Sequence, residues 1–206
     1  MKYCFIGGDS FEEDHLVWSP TTGQLVANHY NLVWKTFAKS GQGNFYIFNS
    51  LLQNIQNYDF KLALINWSSI NRKDYITYHN SWQVTSAVKS LIIKDDHMAL
   101  ADQILYENLN YILGAQLILE GFNIPYCMWW GINGVENTKN TRCQEIIKVI
   151  KSKGSFYDFE SSLFEKAKSN GQLLEHFGNH PNREAHYSHS LEIIQFMKSQ
   201  GITVSQ

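Results

Sequence analysis

Eight residues, Phe60 to Trp67 (FKLALINW), carry six apolar side chains and stop at the polar stretch SSINRKD, which reads as a buried strand. The rest of the chain supplies partners for it. KYCFIGG is a short apolar run closed by two glycines, LVWKTFA alternates apolar and polar up to the turn KSGQGN, and IPYCMWW ends at GING. SFYDF reads as a short fifth strand. Between these runs the spacing changes to that of helices. It does so in FYIFNSLLQNIQ, from about His97 to Gly121, in CQEIIKVIKSKG and in SLEIIQFMKSQG, the last three each stopped by glycine. Residues 11–30 contain a turn at WSPTTG, with a helix before or after it. Strands alternating with helices imply mostly parallel pairing. The expectation is a single α/β domain over residues 1–206, a three-layer α/β/α sandwich on a five-stranded parallel sheet.

Composition narrows the function. At 206 residues the chain is long enough to bury a sizeable core, and 44% hydrophobic with 14% aromatic residues argues for a packed globule. Its 17 basic and 19 acidic residues are nearly balanced, and no basic run is suited to a phosphate backbone, so nucleic acid is not an expected partner. No apolar run approaches the roughly 20 residues of a membrane span, and the N-terminal MKYCFIGGDS stops too early for a signal peptide. A cytoplasmic protein, or one released by lysis, is expected; the oligomeric state is open. Cys4, Cys127 and Cys143 form no C-x-x-C pair, and Cys4 and Cys127, inside apolar strand-like runs, read as buried thiols.

In open parallel sheets, ligands bind beyond the carboxyl ends of the strands. Here those ends are Gly7-Gly8-Asp9-Ser10, Ser40-Gly41-Gln42-Gly43-Asn44, Trp67-Ser68-Ser69 and Trp129-Trp130-Gly131, with the histidine stretch FGNHPNREAHYSH returning after the fifth strand. A serine hydroxyl becomes a useful nucleophile only when a base within hydrogen-bond reach takes its proton. Ser10 follows a glycine turn, where a side chain is open to approach. His180 precedes Pro181, which holds it extended outside the next helix. Glycine-rich turns such as that of Gly41 supply backbone N–H groups for an oxyanion. A Ser10–His180 hydrogen bond of about 3.5 Å or less is expected, allowing for looser geometry in the free protein.

FIGGDSF, SGQGN and HPNREAH together resemble, in order and spacing, the SGNH (GDSL-type) hydrolases. The resemblance implies a flavodoxin-like fold in which Ser10 is the nucleophile, His180 the base and Gly41 an oxyanion donor, with no cofactor. It implies a small-molecule or carbohydrate ester substrate, such as a sugar carrying small O-acyl groups; lipid esters and thioesters suit the fold equally. The family usually places a G-x-N-D turn after the third strand, whose asparagine is the third oxyanion donor. This chain has NWSSINR, leaving Ser68 or Asn71 for that role, with Ser68 preferred. The family's aspartate just before the histidine falls on Phe177 or Gly178, so either Glu175 or a backbone carbonyl orients the imidazole.

The other conspicuous residues have blander readings. His176 and His180 have ligand-like spacing, but Gly-Asn-His-Pro should break any helix between them, so no metal site is expected. His186 and His189 belong to the start of the last helix. One of Trp129 and Trp130 should face the core and the other the rim, and Trp130 is the candidate for substrate contact. Arg72 is either an anion contact or a surface arginine, and Glu12-Glu13-Asp14 reads as a solvated face. The rival to an enzyme is a non-catalytic module that keeps a glycan or small-ligand pocket after losing its acid.

Overall fold

The computed structural model describes residues 1–15, 17–70, 72–76, 82–85, 97–132, 135 and 138–204. Four parallel strands form the sheet in the order β2-β1-β3-β6, namely β2 (Val33–Thr36), β1 (Tyr3–Gly7), β3 (Phe60–Trp67) and β6 (Tyr126–Trp130). Helices α1 (Thr22–His29), α2 (Asn44–Asn54), α3 (His97–Gly121), α4 (Thr141–Ser152), α5 (Leu163–Ser169) and α6 (Arg183–Ser199) follow in chain order. A hairpin of β4 (Lys73–Ile76) and β5 (Trp82–Thr85) extends beyond β3. No described helix is long and apolar enough to cross a membrane.

Strand alternation builds two cores. Phe5, Ala63, Ile65, Trp67, Tyr126, Met128 and Trp130 face one way, toward α2, α3 and α4. Cys4, Ile6, Leu62, Leu64, Cys127 and Trp129 face the other way, toward Val26 and Ala27 of α1 and Ile193, Ile194 and Met197 of α6. Both faces of β1, β3 and β6 are therefore apolar, the mark of a parallel sheet covered on both sides. Leu64, fully buried between β1 and β6, would cost about 2–5 kcal/mol on truncation to alanine.

The expected fifth strand is not a full strand. SFYDF makes a parallel bridge at Phe156 to Met128, through Met128 N–H to the Ser155 carbonyl (2.9 Å) and Tyr157 N–H to the Met128 carbonyl (2.8 Å). Asp158, with φ of 44°, and the turn it opens end the pairing there. The two tryptophans do point to opposite faces, but both faces are core. Trp129 and Trp130 are buried, and the Trp130 indole N–H donates to the Phe159 carbonyl at 3.0 Å. Trp130 is therefore a packing residue, not a rim platform, because helices cover both sides of its strand. All three cysteines are free and buried.

Candidate active site

The loop after β1 is tied down by Asp9. This carboxylate is fully buried and accepts from the Phe11 N–H (3.1 Å) and from the Arg72 guanidinium (3.4 Å). Burial raises its pKa, and Arg72, the Phe11 amide, Ser68 and the nearby His180 pull it back. Asp9 thus shapes the turn, as a turn-forming aspartate should. Ser10 follows it, 6% exposed.

The histidine arm is built from local turns. After the strand β7 (Leu173–Leu174), residues Glu175–Phe177 make one turn of 3-10 helix, and Gly178 (φ 67°) and Asn179 (φ 60°) are both left-handed. Glycine and asparagine are the residues that take this conformation with least strain. The chain folds back so that Leu174 pairs with His180 in the strand β8 (His180–Pro181), and the Phe177 carbonyl meets His180 Nδ1. Asn182 then caps α6 by accepting from the Ala185 N–H at 2.9 Å. His180 is consequently held just outside the helix, as its proline suggests.

The imidazole is clasped by aromatic rings. Trp18 stacks on it with centroids 4.6 Å apart and planes 14° apart, and His15 stacks on the far face of the stack at 4.1 Å from Trp18. Phe11, next to Ser10 in the chain, meets the His180 ring edge-on at 5.3 Å. Phe11 thereby places the serine loop and the histidine on one rim. The expected Ser10–His180 hydrogen bond is not made: His180 Nε2 is buried and has no hydrogen-bond partner among the described residues. Glu175 is exposed, and the Nδ1 partner is the Phe177 carbonyl, not a carboxylate.

Gly41 lies in the turn after β2 with φ of 74°, a conformation that favours glycine, and space is open around it. Ser68 is differently placed from the donor expected. It is fully buried, its N–H donates to Asn44 Oδ1 (2.8 Å), and its hydroxyl oxygen accepts from Arg72 (2.9 Å). Its amide is therefore spent, and its hydroxyl is engaged by Arg72 beside the Asp9 carboxylate, whose raised pKa it helps to pull back. Asn71 lies outside the described residues. Arg72 is not a bare surface side chain; its Nη1 meets Asp9, Ser68 and the Gln42 carbonyl.

Two buried residues beneath the rim escaped the sequence reading. Glu12 is fully buried instead of solvated, accepting from the Gly23 N–H at 2.9 Å, and burial raises its pKa to about 8. His186 is fully buried and accepts from the Thr22 N–H at 3.2 Å; burial lowers its pKa to about 3. Together with Thr21, which accepts from the Gln24 N–H, they satisfy three successive amides at the start of α1. The signal was the E-E-D run itself, because one of three acids beside a buried turn can fold inward only where helix amides receive it. His189 is also buried, edge-on to Trp129, so both late histidines are helix residues as expected. Among the described residues no group of three or more His, Cys, Asp or Glu converges on a metal-sized site.

No protein-family model matches the sequence, and neither does any curated protein. Solved structures do match. The psychrotrophic esterase EstA from Pseudoalteromonas sp. superposes with a TM-score of 0.59 over 96% of this chain and 97% of its own, at 12% identity. A GDSL-like lipase from Bacteroides thetaiotaomicron gives 0.54 over 96% and 88%, at 13% identity. The lipase/acylhydrolase from Enterococcus faecalis gives 0.53 over the whole of both chains, at 15% identity. With the GDS turn, the left-handed glycine turn and the His-Pro arm all on one rim of this sheet, the chain has the fold of the SGNH (GDSL-type) hydrolases.

Proposed function

We propose that this chain is a serine ester hydrolase that removes small O-acyl groups from a carbohydrate or another small ester. One observation carries the reading. His180 Nδ1 faces a carbonyl oxygen, which can only accept, so the ring proton belongs on Nδ1 and the Nε2 lone pair is the basic one. Nε2 has no partner among the described residues and sits beside the loop that bears Ser10. A histidine in this tautomer, oriented by a carbonyl, is a general base without a carboxylate.

In the proposed cycle Ser10 attacks the ester carbonyl while His180 Nε2 takes its proton. The oxyanion is met by the Gly41 and Ser10 N–H groups, and the proton passes to the leaving alcohol. Water, deprotonated by the same Nε2, then frees Ser10 and the acid. The resulting Ser-His dyad, with Phe177 supplying the orienting carbonyl, has two hole donors from the backbone. Ester chemistry is the activity named for the matching folds above, an esterase, a lipase and an acylhydrolase.

The test is labelling with a fluorophosphonate and turnover of p-nitrophenyl acetate by wild type and by Ser10→Ala. Both signals are expected in wild type and neither in Ser10→Ala. Silence in both proteins, with sugar binding intact, overturns the enzyme and leaves a binding module.

A further inference from the structure

The third motif's missing asparagine raises the question of what organises the oxyanion site here. The segment after β3 answers it with two charged side chains, Arg72 and Asp74, two residues apart. Asp74 reaches the start of α2, where one carboxylate oxygen accepts from the Gly43 N–H (2.6 Å) and the other from the Tyr46 N–H (2.8 Å). A Cβ at position 43 would lie 2.8 Å from that first oxygen, so only glycine admits the carboxylate this closely. Arg72 reaches the same loop one residue earlier and holds the Gln42 carbonyl at 3.1 Å. Gly41 is the next residue back. The same guanidinium nitrogen also contacts Asp9, the neighbour of Ser10, at 3.4 Å, and the Ser68 hydroxyl at 2.9 Å.

We infer that Arg72, seconded by Asp74, is the positioning residue of the oxyanion hole, fixing the Ser10 and Gly41 amides relative to each other in place of a third side-chain donor. This rests on the hydrolase reading for its kinetic consequence, but not for its structural one. The two amides belong to loops after different strands, tied to each other further from the site by the Lys39 N–H to the Gly8 carbonyl (3.3 Å) and the Ser40 N–H to Glu13 (2.9 Å). The guanidinium nitrogen that meets both Asp9 and Gln42 adds the tie beside Ser10 and Gly41 themselves. Arginine suits the place because its planar fork keeps its charge and directs several donors at once, whereas a lysine ammonium is a mobile point charge. Asp9 in return supplies the buried anion that holds the guanidinium; with Arg72 removed, that carboxylate is buried with its principal counter-charge gone. The arginine does not touch the reacting atoms. It acts through the backbone of two loops, so its loss should appear in the chemical step and not in substrate capture.

The experiment uses the full chain with Arg72→Met, Arg72→Lys and Asp74→Asn, each also in the Ser10→Ala background. Hydrogen exchange of the 40–43 segment reads the geometry without any need for turnover. The expected result is faster exchange there in Arg72→Met, in both backgrounds, with the exchange of β3 and β6 unchanged. On p-nitrophenyl acetate, kcat should fall about a hundredfold, the size of effect that follows loss of an oxyanion donor, with KM within threefold. Arg72→Lys should recover part of kcat, and added guanidinium should partly rescue Arg72→Met where sodium chloride does not. Unchanged exchange at 40–43, or kcat within threefold of wild type in an active enzyme, overturns the inference. Collapse of exchange protection across the whole sheet, with no recovery by lysine or guanidinium, also overturns it, because the arginine would then be only a folding residue. If wild type is inactive while Arg72→Met still loosens the 40–43 segment, the hydrolase reading falls and the clamp stands.

Discussion

The two sides of the rim are built by different physics. On the Ser10 side, Asp9, Gln42 and Ser68 converge on one guanidinium, and Asp74 grips the following turn, so charges and hydrogen bonds set the geometry. On the His180 side, the ring is held by a carbonyl at Nδ1, by the face of Trp18 and by an edge-on contact with Phe11, with no ion pair to it among the described residues. Directional bonds to buried groups specify a position narrowly; stacked rings slide with little loss. The serine side is therefore held by directional bonds and the histidine side by one carbonyl and ring contacts, and its Nε2 lies near the serine loop without a bond to Ser10.

The sharpest way to break this contrast is at the histidine itself. His180→Ala is expected to lower kcat by roughly a thousandfold or more, whereas Trp18→Ala, which removes only the stacked face, should lower it roughly tenfold by loosening the ring. Single-turnover rates on p-nitrophenyl acetate measure both. Equal losses would show that the stack, and not the Phe177 carbonyl, is what holds the base in place.

A second comparison concerns the two buried titratable groups beneath the rim, whose effects on stability have opposite sign. Burial raises Glu12 from an ordinary value of 4.5 to about 8, so the folded chain keeps a proton that the unfolded chain has released. Its contribution is fully present below about 4.5 and declines as pH rises toward 8. Burial lowers His186 from 6.5 to about 3, so the unfolded chain binds a proton that the folded chain refuses, and stability declines as pH falls below 6.5. The two slopes offset between those ordinary values, and the decline from pH 6.5 to 8 belongs to Glu12, approaching ~1.4 kcal/mol per pH unit. Thermal unfolding across this range should show the decline in wild type and a flatter limb in Glu12→Gln. A decline that survives the substitution would place its cause elsewhere.

The smallest effect is expected at Glu175. Its side chain is exposed and the Nδ1 position is occupied by the Phe177 carbonyl, so Glu175→Gln should change kcat by less than about threefold. A loss matching that of His180→Ala, in a folded variant, would make Glu175 the missing acid and refute the dyad.

Much of this was legible in the residues because it depends on local pattern. The apolar run of β3 and the spacing of α3 up to its glycine marked those elements, since burial on a strand or helix face is written in periodicity. The rim also followed, because strand ends in a parallel sheet share one edge. Periodicity says nothing, however, about which polar group finds which partner across distant loops. Ser68 and Arg72 are four residues apart, and only the packing of the loops after β1, β2 and β3 brings the Ser68 hydroxyl to the guanidinium and the guanidinium to Asp9 and the Gln42 carbonyl. Glu12 reads as surface until the start of α1 offers it an amide, and Trp130 reads as rim until helices close over both faces of β6. What the sequence determined by itself was the alternation of the main strands and helices and the edge on which Ser10 and His180 stand. The tertiary structure decided which hydrogen bonds those residues have left to give, because a donor's availability is a property of everything packed around it.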